Sequence, residues 1–181
     1  MRNYKARITF TTDYLQARFT EDAKKEIDNL ISKGIAKTKD DSWAVLLHID
    51  DNGIYIPSIQ IRNAMINAGK EYKVKKQRRS MQQWCISNLI IQPDCIYFGK
   101  TTPDKVVTSY PARKDGNRVE IKHPAILANT LVEFTIKVLD GDMEEEAILN
   151  VLKTAGTMYG IGARRRDMFG RFEVTSFEEV R

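Results

Sequence analysis

Three adjacent arginines, Arg164, Arg165 and Arg166, lie in the stretch YGIGARRRDMFGRF that runs from Tyr159 to Phe172. Gly160 and Gly162 precede them, Asp167 is the acidic residue beside them, and Phe169, Gly170 and Arg171 follow. Guanidinium forks donate paired hydrogen bonds to phosphate oxygens, and glycine backbone can turn its N–H groups toward the same anion. One carboxylate is too little to neutralise the run within the loop, so the arginines are expected to face an external polyanion. The competing reading, a solvated charged face, does not account for the glycine pivots. Gly160 also suits a helix C-cap with positive φ, and that holds under either view. A phosphate backbone fits better than a small metabolite, because no residue nearby in sequence supplies the specific polar groups that a metabolite needs.

A second basic segment, KEYKVKKQRRS, sets Lys70, Lys73, Lys75, Lys76, Arg78 and Arg79 against Glu71. It has no apolar periodicity and reads as a basic loop or a frayed helix end. The whole chain of 181 residues carries a formal charge of +5 and a pI of about 9.1, a balance that fits a polyanionic partner. Tyr72, Trp84, Tyr159 and Phe169 interleave with these cations and could stack on bases, as proteins that hold single strands do. Trp84 and Tyr159 suit the core as well.

Other chemistries are poorly supplied. The Gly-x-Gly of the loop follows a helix and precedes a strand, the reverse of the dinucleotide-binding order, and no Walker lysine-serine pair occurs. No cofactor is expected. Cys85 and Cys95 stand ten residues apart without a CxxC, and only His48 and His123 could add nitrogen ligands, so two free thiols and no metal centre are expected. Metal-free cleavage of RNA needs a base that titrates near neutrality beside the 2′-hydroxyl. His48, with Tyr55 or Arg62 close in sequence, is the candidate for such a catalytic role; the alternative is a surface histidine on a strand. His123, followed by Pro124, reads as structural or exposed. Metal-dependent cleavage would need clustered carboxylates, whereas Asp40-Asp41 and Asp50-Asp51 sit where turns favour aspartate.

The elements that position these residues follow from periodicity. Tyr4, Ala6, Ile8 and Phe10 alternate as a first strand. TEDAKKEIDNLISKG reads as a helix with Thr20 as N-cap, an apolar stripe of Ile27, Leu30 and Ile31, and a stop at Gly34. SWAVLLHID alternates as a strand through Trp43, Val45, Leu47 and Ile49, with His48 on the opposite face, and DDNG turns it into IYIP. SIQIRNAMINAGKEY places Ile61, Ala64, Met65, Ala68 and Tyr72 at helical spacing. WCISNLIIQPDCIYFG reads as a strand broken at Pro93, and Asp115-Gly116 turns a second hairpin. Val132, Phe134, Ile136 and Val138 face inward on the clearest strand. Asp142 is expected to cap the next helix, which buries Ala147, Ile148, Val151, Leu152, Ala155 and Tyr159. RFEVTSFEEV is the last strand.

Without its insertions the order is strand, helix, strand, strand, helix, strand. The expected fold class is therefore α+β: a ferredoxin-like (RRM-like) βαββαβ core with an inserted helix-hairpin segment and a second β-hairpin. Residues 1–181 are expected to form one domain, with insertions at about 11–55 and 100–125. The first residues show no apolar leader and no stretch approaches a membrane span, so a cytoplasmic protein is expected.

Two stretches carry a family resemblance. Gly160-Ile161-Gly162, six residues, then Phe169-Gly170, between the last helix and the last strand, resembles the glycine-rich signature of the RAMP superfamily, the repeat-associated proteins of CRISPR systems. Met168 stands where that signature usually has another glycine. IPSIQIRNAMINAG, from Ile56 to Gly69, resembles the family's IPGSSLKGALR segment. Pro57 matches the proline, Ile61 the leucine, Arg62 the lysine and Ala64 the alanine, while Ser58 and Asn63 replace glycines. The two motifs cover about a sixth of the chain.

The resemblance implies a ferredoxin-like RNA-binding protein of one of two types. One is the backbone subunit that polymerises along guide RNA. The other is the metal-independent endoribonuclease that processes CRISPR transcripts, usually with a histidine as base. Processing enzymes usually carry two ferredoxin-like units and this chain shows one, which points to a stand-alone or backbone-like member; a phage or another mobile element would suit as its origin. RNA-cutting backbone subunits use an acidic residue in a flexible thumb, a place that Asp13 or Asp22 could fill.

The expected function is single-stranded nucleic-acid binding, RNA ahead of DNA, by an oligomer along the strand. The expected contacts are Arg62, Lys73, Lys75, Lys76, Arg78, Arg79, Gly160, Gly162, Arg164, Arg165, Arg166, Phe169 and Arg171. Other CRISPR-type subunits are expected partners and a membrane is not. The alternatives are the processing endoribonuclease and a non-catalytic interaction or inhibitor protein acting on a CRISPR complex.

Overall fold

In the computed structural model, residues 1–18, 21–34, 39–74, 80–110, 116, 118 and 120–180 are described, with backbone alone at 39–42. The chain begins with β1 (Arg2–Phe10), β2 (Tyr14–Leu15), α1 (Glu21–Ser32) and a 3-10 stretch at Lys39–Leu46. β3 (Ile49–Asp50), β4 (Gly53–Pro57), α2 (Ser58–Ala68), α3 (Met81–Asn88) and β5 (Leu89–Gln92) come next. Then come β6 (Cys95–Tyr97), β7 (Lys105–Ser109), β8 (Ile121–Ile126) and β9 (Leu131–Val138). α4 (Glu145–Thr154) and β10 (Phe172–Val180) complete it.

The result is an α+β arrangement of antiparallel sheets and four α-helices among the described residues. The main sheet has the order β10-β1-β9-β5, with every neighbouring pair antiparallel. β9 thus lies between β1 and β5, which run parallel to each other and are linked through α2. Alternation along β1 and β9 explains the core. Tyr4, Ala6, Ile8 and Phe10 face the same interior as Val132, Phe134, Ile136 and Val138, and all are buried. Ile61, Met65, Ile148 and Leu152 from α2 and α4 close that interior. Small sheets β2-β8-β7 and β3-β4-β6 flank it.

Several local expectations are corrected. The segment before β3 is 3-10 helical, not a strand, and Val45, Leu46 and Leu47 are buried consecutively instead of alternately. Trp84, Cys85 and Ile86 belong to α3, a helix, not to a strand. Ser80 caps α3 by accepting the Gln83 amide at 3.2 Å. The residue before α4 is Glu144, not Asp142, whose own amide donates to Asp140 Oδ1 at 3.0 Å. On α1 only Ala23 is fully buried, and the stripe of Ile27, Leu30 and Ile31 is half-buried. Thr20 and Asp115 lie outside the described residues. Among those residues no helix is long and apolar enough to cross a membrane.

Candidate nucleic-acid interface

The arginine loop begins where α4 ends. A π-helical turn, Ala155–Tyr159, passes into Gly160 at φ +67°. Two further glycines let the chain fold back on its neighbours. At Gly170 (φ +69°) a Cβ would lie 1.8 Å from the Ile161 carbonyl oxygen. At Gly162 (φ +82°) it would meet the Leu15 carbonyl oxygen at 2.5 Å and the Tyr14 ring at 2.6 Å. Neither contact leaves room for any side chain. Met168, in the place of the signature's glycine, adopts φ +68°, and Arg164 adopts φ +56°. Both are non-glycine residues held in the left-handed region, at a cost of about 1–2 kcal/mol each.

Hydrogen bonds impose that geometry. Ile161 N donates to Gly170 O at 3.0 Å, Ala163 N to Leu15 O at 2.8 Å, and Gly170 N to Asp13 O at 2.8 Å. Thr12 Oγ1 donates to Met168 O at 2.8 Å and accepts from Arg171 N at 2.9 Å. The segment between β1 and β2 is therefore a clamp on the loop, not a free arm. Asp13 belongs to this clamp: its carboxylate accepts from Ala128 N at 3.0 Å and pairs with Lys105. Burial pushes its pKa up, and the Lys105 and Ala128 hydrogen bonds outweigh that and hold it below the ordinary carboxylate value. The amides of Gly160, Ile161, Ala163 and Gly170 thus bond within the protein.

The loop's guanidiniums edge a cleft of about 700 Å³. Gly162 to Asp167 form one wall, Gln60 and Asn63 of α2 another, and Ile121 and His123 of β8 a third, with Ala17 beside them. Arg164 Nε lies 2.6 Å from Asp167 Oδ2, an ion pair whose N–H is not aimed along the contact. Arg165 and Arg166 are exposed. Arg171 lies behind the loop, its Nη2 donating to Arg165 O at 3.2 Å, while its Nε and Nη1 are buried without a partner. Burial, then the nearby Arg165 charge, lowers the Arg171 pKa. Phe169 is half-buried.

Gln60, Asn63 and His123 were not among the expected contacts. These residues reach the cleft from distant parts of the chain, beyond the sequence neighbours of the arginines. Gln60 is held in place by Tyr14, whose hydroxyl donates to Gln60 Oε1 at 2.9 Å. His123 is 2% exposed, neither an outlying nor a solvated residue. Its Nδ1 lies 3.3 Å from Gln16 O, and its Nε2 has no partner. Burial lowers its pKa most; the Gln16 carbonyl opposes this and the Arg164 charge adds to it.

Other expected contacts lie elsewhere. Arg62 donates through Nε to Leu89 O at 2.9 Å and through Nη2 to Ile86 O at 2.6 Å, tying α2 to the end of α3. Lys73 borders a separate cleft of about 300 Å³ with Asp140, Asp142, Glu144 and Glu146. Lys75, Lys76, Arg78 and Arg79 lie outside the described residues. Trp84 is fully buried and donates to Asp140 Oδ2 at 2.9 Å. Tyr159 donates to Glu71 Oε1 at 2.7 Å, and the Tyr72 hydroxyl lies 2.6 Å from Thr154 Oγ1. These hydrogen bonds fix three of the four aromatics proposed for stacking.

His48 is half-buried, its ring 5.8 Å from that of Tyr55. Burial and then the Arg18 charge lower its pKa. Gln16, fully buried, links the two histidines: its side chain accepts from His48 N at 2.5 Å, and its backbone oxygen faces His123. Among the described residues no group of three or more His, Cys, Asp or Glu is placed to hold a metal.

The outward face of the main sheet offers less. Lys5 and Arg7 both pair with Glu133, at 2.8 Å and 3.0 Å. Thr135, Lys137, Ile90 and Glu173 surround them, and no aromatic projects from this face among the described residues. Stacking of bases on the sheet, as an RRM does it, has no platform here.

No protein-family model matches the chain, and no curated protein matches it in sequence. Its structure is similar to a chain in the cryo-EM structure of the type III-B Cmr-beta complex bound to cognate target RNA. The TM-score is 0.60 at 17% identity, over 99% of this chain and 61% of that one. This chain thus spans about 61% of that neighbour's length, and the likeness establishes a shared fold. Shallower likenesses are to a type IV-B CRISPR complex (TM-score 0.45, 10% identity, 96% and 89% coverage). A CRISPR protein from Archaeoglobus fulgidus gives 0.41, 13%, 100% and 62%.

Proposed function

We propose that this chain is a RAMP-like, CRISPR-associated protein that binds single-stranded nucleic acid, RNA ahead of DNA, as repeated copies along a strand. The observation that carries the proposal is the arginine loop itself. Three guanidiniums edge a large cleft on a backbone fixed by positive φ and by the Thr12 clamp. Such pre-ordering favours binding, because little loop freedom is left to lose.

The sheet order supports a ferredoxin-like reading, in which residues 1–181 form one domain with insertions at about 11–55 and 100–125. Taking β1, β5, β9 and β10 as the core strands, the order β10-β1-β9-β5 reads 4-1-3-2, the split βαβ pattern. The glycine-arginine signature falls between α4 and β10, where the RAMP resemblance requires it. The neighbour with the shared fold belongs to a complex bound to target RNA. Repetition along the strand follows from the small footprint of one cleft, since a bound neighbour raises the effective concentration of the next contact. The half-buried stripe of α1 and the β7–β8 hairpin are the surfaces left to meet that neighbour.

Sedimentation with oligoribonucleotides of increasing length tests this reading. Stepwise addition of subunits is expected. One protein per strand at every length would remove the assembly, and the absence of any complex would remove the function.

A further inference from the structure

His123 is buried on β8, yet its Nε2 has no hydrogen-bond partner and its ring borders the arginine cleft. The other ring nitrogen fixes what Nε2 can do. Nδ1 faces the Gln16 carbonyl oxygen at 3.3 Å, and a carbonyl can only accept, so Nδ1 carries the proton. Burial and the Arg164 charge both oppose a second proton. Nε2 is therefore a bare acceptor, and buried acceptors are rarely left without a donor. Arg164 lies close enough to His123 to influence its titration, yet donates no hydrogen bond to Nε2.

A ribonucleotide supplies the missing donor beside an anion. Its 2′-hydroxyl and 3′-phosphate sit on adjacent carbons of one sugar, matching an acceptor placed beside guanidiniums. We infer that His123 is the residue through which this cleft tells RNA from DNA: Nε2 accepts a hydrogen bond from the ribose 2′-hydroxyl of a nucleotide whose 3′-phosphate lies on Arg164 to Arg166. Arg164 Nε is itself buried without a hydrogen bond. As part of the same inference, a phosphate taking the place of Asp167 on Arg164 shifts that side chain and gives the ribose access to the buried Nε2. Deoxyribose leaves the acceptor empty, and the 2′-hydroxyl is what separates the two nucleic acids at a given site. This inference rests on the strand-binding function proposed above.

The test uses three single strands of one sequence: RNA, 2′-fluoro RNA and DNA. The fluoro strand keeps the ribose pucker and cannot donate. With the unaltered protein, RNA is expected to bind about fivefold to tenfold more tightly than the fluoro strand, the value of one neutral hydrogen bond. His123→Phe is expected to bring that ratio to about one. Equal binding of RNA and the fluoro strand by the unaltered protein overturns the inference, whether or not the variant folds. So does a ratio unchanged in a folded His123→Phe protein, which would assign Nε2 no part in sugar recognition. Salt-sensitive binding that needs the arginines but ignores the 2′ substituent leaves the proposed function standing and removes this inference alone. Failure to bind any strand removes both.

Discussion

The α-carbon of Gly170 lies so close to the Ile161 carbonyl that a Cβ there would approach its oxygen to 1.8 Å. That approach closes the base of the arginine loop, with Ile161 N returning a hydrogen bond to Gly170 O at 3.0 Å. Gly170→Ala is therefore expected to destabilise the protein by about 3 kcal/mol or more, from contact with the backbone and the φ penalty combined. Urea denaturation reads the loss. A variant as stable as the parent would show that the loop closes in another way.

Thr12→Val removes the hydroxyl that bonds both Met168 O and Arg171 N while keeping the side chain's shape. Leaving these two backbone groups unpaired should cost about 1–3 kcal/mol. Because the loop then loses two of the bonds that clamp it, strand affinity should fall although Thr12 is not an arginine and carries no charge. Calorimetric melting and a binding titration on the same sample check both effects. Unchanged affinity in a destabilised variant would separate the clamp from binding.

Stability should depend on pH through the histidines. Burial holds the pKa values of His48 and His123 below the ordinary 6.5, so below that pH the unfolded chain takes up protons that the folded chain refuses. Stability is thus fully present above about pH 7 and is lost as pH falls from 6.5 through the depressed folded values. Asp13 and Asp104, held below 3.8, stabilise the fold above that pH, and their contribution is lost only as pH falls further. Melting temperature should be level down to about pH 7, then decline, with a shallower decline in His123→Phe. A level profile down to about pH 5 would contradict the buried neutral histidines.

The two thiols should separate by reactivity. Burial pushes Cys85 up to about 12, and Cys95 is half-buried. Since the thiolate is the reactive form, iodoacetamide should modify Cys95 first and Cys85 only on unfolding. Mass spectrometry of the native protein locates the label, and early labelling of Cys85 would mean that α3 opens readily.

Where one face of an element is buried, its pattern was legible. β1, β9, α2 and α4 each bury one face of a main-sheet core, so alternation or helical spacing appears directly in Tyr4–Phe10, Leu131–Val138, Ile61–Ala68 and Ile148–Leu152. The 3-10 stretch before β3 packs between α1 and β8 and buries neighbours on several sides, so its apparent alternation had no sheet behind it. α3 did carry a signal: Ser80 followed by Gln83 is a capping-box pattern, and Met81, Trp84 and Cys85 are spaced for a helix. The apolar run of β5 directly after it obscured that reading.

The arginine loop was visible because its glycines and charges are contiguous. The rest of the cleft was not, because Gln60, Asn63 and His123 come from α2 and β8 and meet the loop only in three dimensions. Arg62 shows the opposite error. It lies in a family-like motif, yet its guanidinium is committed to two backbone carbonyls of the protein itself.

The central claim is that Arg164, Arg165 and Arg166 hold a strand by its phosphates. The direct measurement is fluorescence anisotropy of a labelled single-stranded RNA across a salt series, with the parent protein and the Arg164→Ala, Arg165→Ala, Arg166→Ala triple variant. Each lost phosphate contact should make the slope of log K against log salt shallower by about 0.7, or about 2 for the three together. Two of these arginines are exposed, so melting temperature should change little. Strong, salt-sensitive binding by the parent and a much weaker, flatter response from the folded variant is the predicted result. Equal slopes and affinities for the two proteins would contradict the account.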